Sequence, residues 1–124
     1  MLKILVVAAG GSLGAVARYL ISLWMAERYG ATFPTGTLVA NIIGCFIIGA
    51  FMTLATERFI VNPYWRLLVT VGFIGGLTTF SSFSFETFKL LEDAQIHLAL
   101  YNVMLNLGLG FLATWIGMGL ARLL

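Results

Sequence analysis

The run Gly72-Phe73-Ile74-Gly75-Gly76-Leu77-Thr78-Thr79-Phe80-Ser81-Ser82-Phe83-Ser84 sets adjacent glycines ahead of a hydroxyl-rich stretch, inside a segment long enough to cross a bilayer. Glycines weaken a helix, and hydroxyls at this density are unfavourable in hydrocarbon. Such a stretch is tolerated at membrane depth only where protein or a water-filled path surrounds it. The pattern predicts a third spanning helix that is broken near mid-membrane, with the function concentrated at the break.

The rest of the chain agrees with a membrane setting. Its 124 residues are 60% hydrophobic and only 10% charged, with a mean hydropathy of +1.01. That leaves too little charge to surface a soluble domain. Charge-free runs at Ile4–Ala17, Tyr29–Thr56, Leu67–Phe85 and Ala94–Ala121 mark four crossings, since a helix needs about 20 apolar residues to traverse the hydrocarbon. The predicted fold is all-α, a single membrane domain over residues 1–124 with helices at about 2–25, 37–56, 66–91 and 97–120. An Ala15-Val-Ala17 triplet after the first apolar run imitates a signal-peptidase site, but apolar sequence resumes at Tyr19–Met25, favouring an uncleaved helix.

Four crossings put both termini on one side, with Lys3, Arg58, Arg66 and Arg122 there and Arg28, Lys89 and Arg18 opposite or within the first helix. Orientation follows the Lys/Arg asymmetry near helix ends. Four against three is a small bias, which leaves insertion in both directions open. Small residues four apart, at Gly10/Gly14, Ala40/Gly44, Cys45/Gly49 and Ala113/Gly117, allow close helix approach within a chain or between chains. Four short helices barely enclose a polar path, so assembly into an oligomer is expected.

Several polar residues lie inside the crossings. Asn41 sits in the second, and Asn102 and Asn106 stand four apart in the fourth, with Gly110 and Thr114 continuing the row. Each amide either bonds a neighbouring helix or faces a path, and Asn102 is also close enough to the helix start to lie at the interface. Phe80 and Phe83 share a helix face, flanked by Ser81, Ser82 and Ser84. Ring edges are positive, and hydroxyl and amide groups donate. Together they can replace the hydration of a small anion without a fixed cation to trap it, as conduction requires. Carbonyls freed near Gly75, Gly76 and Thr78 offer the opposite chemistry, a seat for a cation such as Na+. Glu86 either lines a vestibule or pairs with Lys89 at i+3, and Arg18 either snorkels or attracts anions at a pore mouth. His97 has no partner for a metal or catalytic site, no nucleophile is framed by a His-Asp pair, and lone Cys45 offers no disulfide. Nothing in the chain reads as an enzyme.

Gly36-Thr-Leu-Val-Ala-Asn41, taken with Gly72 through Glu86, resembles the Fluc (CrcB) fluoride channel family, and the resemblance runs the length of the chain. It implies a passive fluoride-selective channel of the cell inner membrane, built as an antiparallel dual-topology homodimer with two pores and a central structural Na+. By position, Gly75 and Thr78 match the residues whose main-chain carbonyls hold the Na+. Phe80 and Phe83 match the pore phenylalanines and Asn41 the pore asparagine. Ser81, Ser82 and Glu86 match the polar track, and Arg18 the arginine near the vestibule. Family members offer a serine on the fourth helix where this chain has Gly110, with Asn106 one turn earlier as the alternative pore donor. The rival reading is a small multidrug resistance type proton-coupled exporter. That mechanism needs a membrane-embedded glutamate in the first helix, where this chain carries Arg18 instead. A purely structural subunit of a larger membrane complex would not require Asn41, Phe80, Phe83 and the hydroxyl run to converge.

Overall fold

A computed structural model describes residues 1–124. The first helix, α1 (Leu2–Tyr29), runs past the expected stop near Met25. Its end is set by Gly30, whose φ of 81° suits glycine alone and whose N–H closes on Ala26 O at 2.9 Å. Arg28 lies over the Trp24 ring, 5.2 Å from its centroid, in the last turn. Pro34 precedes α2 (Thr35–Thr53), which starts two residues earlier than its sequence suggests and continues through the wide turn Leu54–Arg58. There Phe59 N–H reaches back five residues to Leu54 O.

The third crossing, Pro63–Glu92, has four parts. Asn62 caps it by accepting the Tyr64 N–H at 2.9 Å, and Pro63 takes the first helical position, where its missing donor costs nothing. A short α3 (Pro63–Arg66) leads into π-wound Leu67–Ile74 and then α4 (Gly75–Leu77). The helix stops at Thr78 and Thr79, both extended, and resumes as α5 (Phe80–Glu92). The glycines are therefore not the break. Gly75 is helical, with φ −60° and ψ −36°, and the interruption falls at Thr78 and Thr79. The fourth crossing is α6 (Ile96–Leu123).

Gly76 serves close packing within the helix. A Cβ at Gly76 would meet Gly11 O at 2.5 Å, and one at Gly14 or Gly10 would run into the backbone of the third crossing at Phe73 or Leu68. Here α1 and the Leu67–Leu77 stretch touch backbone to backbone. The same device joins α2 to α6, where Gly49 faces the Thr114 backbone and Gly117 faces Phe46 and Ala50. All four spaced small-residue pairs that suggested assembly are spent within the chain, Gly44 against the side chain of Thr78 among them.

The buried row of α6, Ala99, Asn102, Asn106, Gly110, Ala113, Gly117 and Ala121, turns inward. Leu100, Met104 and Trp115 on its outer side are exposed, as a lipid-facing surface should be. At one end Arg122 Nε and an Nη donate to both oxygens of Glu57 at 3.0 Å, Arg58 donates to Arg122 O, and Arg66 donates to Ala55 O at 3.1 Å. Three of the four basic residues assigned to the side of the termini thus gather there. All four crossings are long and apolar enough to span a bilayer, and the protein is a multi-pass membrane protein.

Candidate functional site

Thr79 organises the break. Its hydroxyl accepts the Ser82 N–H at 3.1 Å and so caps α5. Its main chain is clamped by Asn41, whose Oδ1 accepts the Thr79 N–H at 2.8 Å while Nδ2 donates to Thr79 O at 3.2 Å. An extended residue has no helical partners for these groups, and an unpaired buried peptide group costs about 1–3 kcal/mol. A carboxamide supplies one donor end and one acceptor end, which is what a lone extended peptide needs. The side chain of α2 thus holds the third crossing open.

The clamp also fixes which way the amides point. The Thr79 N–H can only donate, so Asn41 must face it with oxygen, leaving Nδ2 to donate also to Asn106 Oδ1 at 3.0 Å. Asn106 in turn donates from Nδ2 to Asn102 O at 2.8 Å and Asn102 Oδ1 at 3.0 Å. Asn102 donates to Thr87 Oγ1 at 2.9 Å. Asn102 is wholly enclosed between helices, with 0% of its surface exposed.

On the other side of the break the carbonyl end of α4 is partly claimed. Ile74 O accepts both the N–H and the hydroxyl of Thr78, at 3.0 and 2.9 Å. Gly76 O accepts Arg18 Nε at 3.0 Å. A cation at a helix C-terminus is favourable because unpaired carbonyls concentrate negative charge there. Arg18 therefore reaches sideways from α1 into the break.

A cavity of about 330 Å³ opens against this assembly, lined by Asn41, Thr78, Thr79, Phe80, Phe83 and Asn106 together with Gly44, Cys45, Ile48, Ile74, Leu107, Gly110 and Phe111. No charged side chain lines it. The rings of Phe80 and Phe83 meet edge to face, centroids 5.6 Å apart and planes at 66°. Phe83 is 8% exposed and Phe80 77%, so one ring closes the cavity while the other stands on the outer surface of the chain. Both Gly110 and Asn106 line the fourth-helix side.

A second, larger cavity of about 500 Å³ lies at the end of the bundle formed by the α1–α2 turn and the C-terminal part of α5. Glu86 belongs to this one. It accepts from Thr37 Oγ1 at 3.1 Å, and its other oxygen is buried without a partner. The alternative Glu86–Lys89 pair does not form, and Lys89 turns to Asp93 at 4.0 Å. Of the remaining sequence-derived candidates, Ser81 is exposed beside the Thr79 hydroxyl at 3.3 Å, Ser82 is half-buried, and Gly75 is exposed. Arg18 lines neither cavity.

Comparison with known proteins adds what geometry alone does not. A family model described as CrcB-like protein, Camphor Resistance (CrcB), matches residues 5–118. The chain belongs to the CrcB-like family. A relative from Solibacter usitatus is 49% identical over 121 residues, covering 98% of this chain and 99% of its own. Others from a Sulfurihydrogenibium species and from Clostridium perfringens are 46% and 45% identical over 124 residues, covering all of this chain and 100% and 97% of theirs. Each of the three carries the name fluoride-specific ion channel FluC. The match runs the full length of the chain, whose own structure has four crossings with the third interrupted. Two polar residues of this CrcB-like chain had no role assigned from sequence, Thr37 beneath Glu86 and Thr87 beneath Asn102. Their common signal is position, since a threonine one turn from Asn41 or from Phe83 shares its helix face.

Proposed function

We propose that the protein is a fluoride-selective channel that lets fluoride leave the cell passively across the inner membrane, as an antiparallel homodimer with two pores. The observation that carries this reading is the 330 Å³ cavity, where amides, threonine hydroxyls and the Phe80–Phe83 edges surround a space free of charged side chains. The relatives' shared name selects fluoride among small anions. Stripping water from so small an anion is costly, and positive ring edges with hydroxyl and amide donors offset that cost. With no basic group in the cavity the ion is held weakly enough to leave.

Asn41 would serve as the pore amide and Phe80 and Phe83 as the rings facing the ion, with Asn106, whose own amide hydrogens are held by Asn102, on the fourth-helix side. The N-terminus of α5 adds a positive end beside them. Ser81, Ser82 and Glu86 would continue the route toward the 500 Å³ vestibule. Phe80, exposed on a single chain, would reach a second copy. Arg18 would act on the break and, through its charge, on the approach of anions.

The same break suits a central Na+. In a continuous helix the Thr79 N–H would bond Gly75 O, but here it donates to Asn41, and Thr78 is extended. Gly75 O and Thr78 O are neutral, hard donors of the kind broken helices use for Na+. Two such oxygens from one chain make half a shell, and a second copy would supply the rest. A bound Na+ would give a positive charge that joins the two breaks.

Purified protein in liposomes loaded with fluoride or chloride tests the reading. Rapid fluoride release with chloride retained is the expected result. No fluoride release, or equal release of both, would overturn it.

A further inference from the structure

The hydrogen bonds around the break form a one-way circuit. Thr79 N–H donates to Asn41, Asn41 to Asn106, Asn106 to Asn102, Asn102 to Thr87, and the Thr87 hydroxyl to Phe83 O at 2.8 Å. It leaves the backbone at the break and returns four residues later beneath the buried ring of the cavity. Every direction is forced, because the circuit starts at a backbone N–H and ends at a backbone carbonyl, and each carboxamide between them accepts with oxygen and donates with nitrogen. Bonds aligned in this way polarise one another.

Both donors of Asn41 are consequently committed to protein oxygens, Thr79 O and Asn106 Oδ1. An anion in the cavity can take a hydrogen from Asn41 only by displacing one of them. Thr79 O is held by the reciprocal bond in the clamp, so Asn106 Oδ1 is the acceptor that gives way. The Asn41 amide recovers its orientation between ions only if Asn106 is held in place to receive it again, and Asn102 holds Asn106 through both main chain and side chain.

We infer that Asn102 is a positioning residue for conduction: enclosed and outside the cavity, it sets through Asn106 the orientation and availability of the Asn41 amide. This rests on the channel reading above. Thr87 is the terminal support of the same circuit.

A double-mutant cycle in liposomes tests it, with fluoride release measured for wild type, Asn102→Ala, Asn41→Ala and the pair, and assembly checked by size-exclusion elution. Asn102→Ala should slow fluoride release about tenfold, the scale of one buried hydrogen bond, and change the fluoride-to-chloride ratio. In the Asn41→Ala background the same change should alter release by less than about twofold, because coupled residues are not additive. An equal fold-loss in both backgrounds would overturn the inference. Should Asn102→Ala fail to fold, Thr87→Val keeps the shape, removes the support and carries the same cycle, with Thr87→Ser restoring release. If wild type itself releases no fluoride, the channel reading fails. The circuit is then judged by the Asn41 side-chain amide resonance in micelles, which Thr87→Val should move and Thr87→Ser should not. An unmoved resonance in Thr87→Val overturns the circuit.

Discussion

The two halves of the third crossing are built on opposite plans. Before the break, Leu67–Leu77 carries no charge and only one hydroxyl residue, Thr70, whose side chain is spent on its own helix at Arg66 O. Its glycines let α1 approach to backbone contact. After the break, Phe80–Glu92 turns Phe80 and Phe83 to the 330 Å³ cavity and meets α6 through side chains such as Thr87 and Asn102. The first half is rigid packing that delivers carbonyl oxygens to the centre. The second is a polar face that delivers N–H groups and ring edges to the same place. One segment therefore offers cation and anion chemistry within a few residues, because a helix interrupted at Thr78–Thr79 exposes a negative end and a positive end together.

The sharpest way to break this contrast is to add bulk on the packing side. Gly14→Leu should prevent recovery of folded protein, since a side chain there enters the Phe73 backbone and overpacking against backbone exceeds the roughly 1–3 kcal/mol that flexible cores absorb. Expression followed by size-exclusion elution reads this out. On the polar side, Asn41→Ala should leave the fold recoverable but strand the peptide of Thr79. A loss of about 2–3 kcal/mol of stability is expected in denaturant titration, with fluoride release reduced. Asn41→Asp should recover part of the stability by accepting the Thr79 N–H again, and little of the release, because a carboxylate cannot donate.

Changes away from both halves should be small. Glu57→Gln removes the exposed ion pair with Arg122, and such pairs contribute little in water; the melting temperature should be unchanged, and salt should not matter. Gly108→Ala meets nothing within 4 Å and should raise stability by about 0.5–1 kcal/mol, because helix interiors favour alanine. A loss of stability at Gly108 would mean that this face of α6 is covered by a second copy.

Much of this was legible in the residues. Charge-free runs gave four crossings because lipid excludes charge over a fixed thickness. The hydroxyl run in the third marked a polar path for the same reason. The break, expected over Gly75–Thr78, begins at the last of these residues and takes in Thr79, because glycine serves two physical ends, flexibility and close approach, and sequence does not say which. Gly75 and Gly76 stay helical, Gly76 in close approach to α1, while the extended pair follows at Thr78 and Thr79, where Asn41 arrives from another helix. Long-range partners were likewise beyond local spacing. Glu86 either lines a vestibule or pairs with Lys89 on local spacing, and in the fold it lines the larger cavity with Thr37, 49 residues away, as its partner. Arg18 was read by its depth in α1, but its acceptor is a carbonyl that exists only because a different helix ends beside it. Asn102 offers either a helix-to-helix bond or a place near the interface on spacing alone, and its amide bonds Thr87 of α5.

The central claim is that the ring edges beyond the break handle the ion while the packed half only supports them. Fluoride release from liposomes by Phe80→Ile and Phe83→Ile, each checked for an unchanged elution volume, tests it most directly. The account predicts at least a tenfold slowing in both, on the scale of an aromatic contact of about 1.4 kcal/mol, with assembly intact. Wild-type rates in both variants would contradict it.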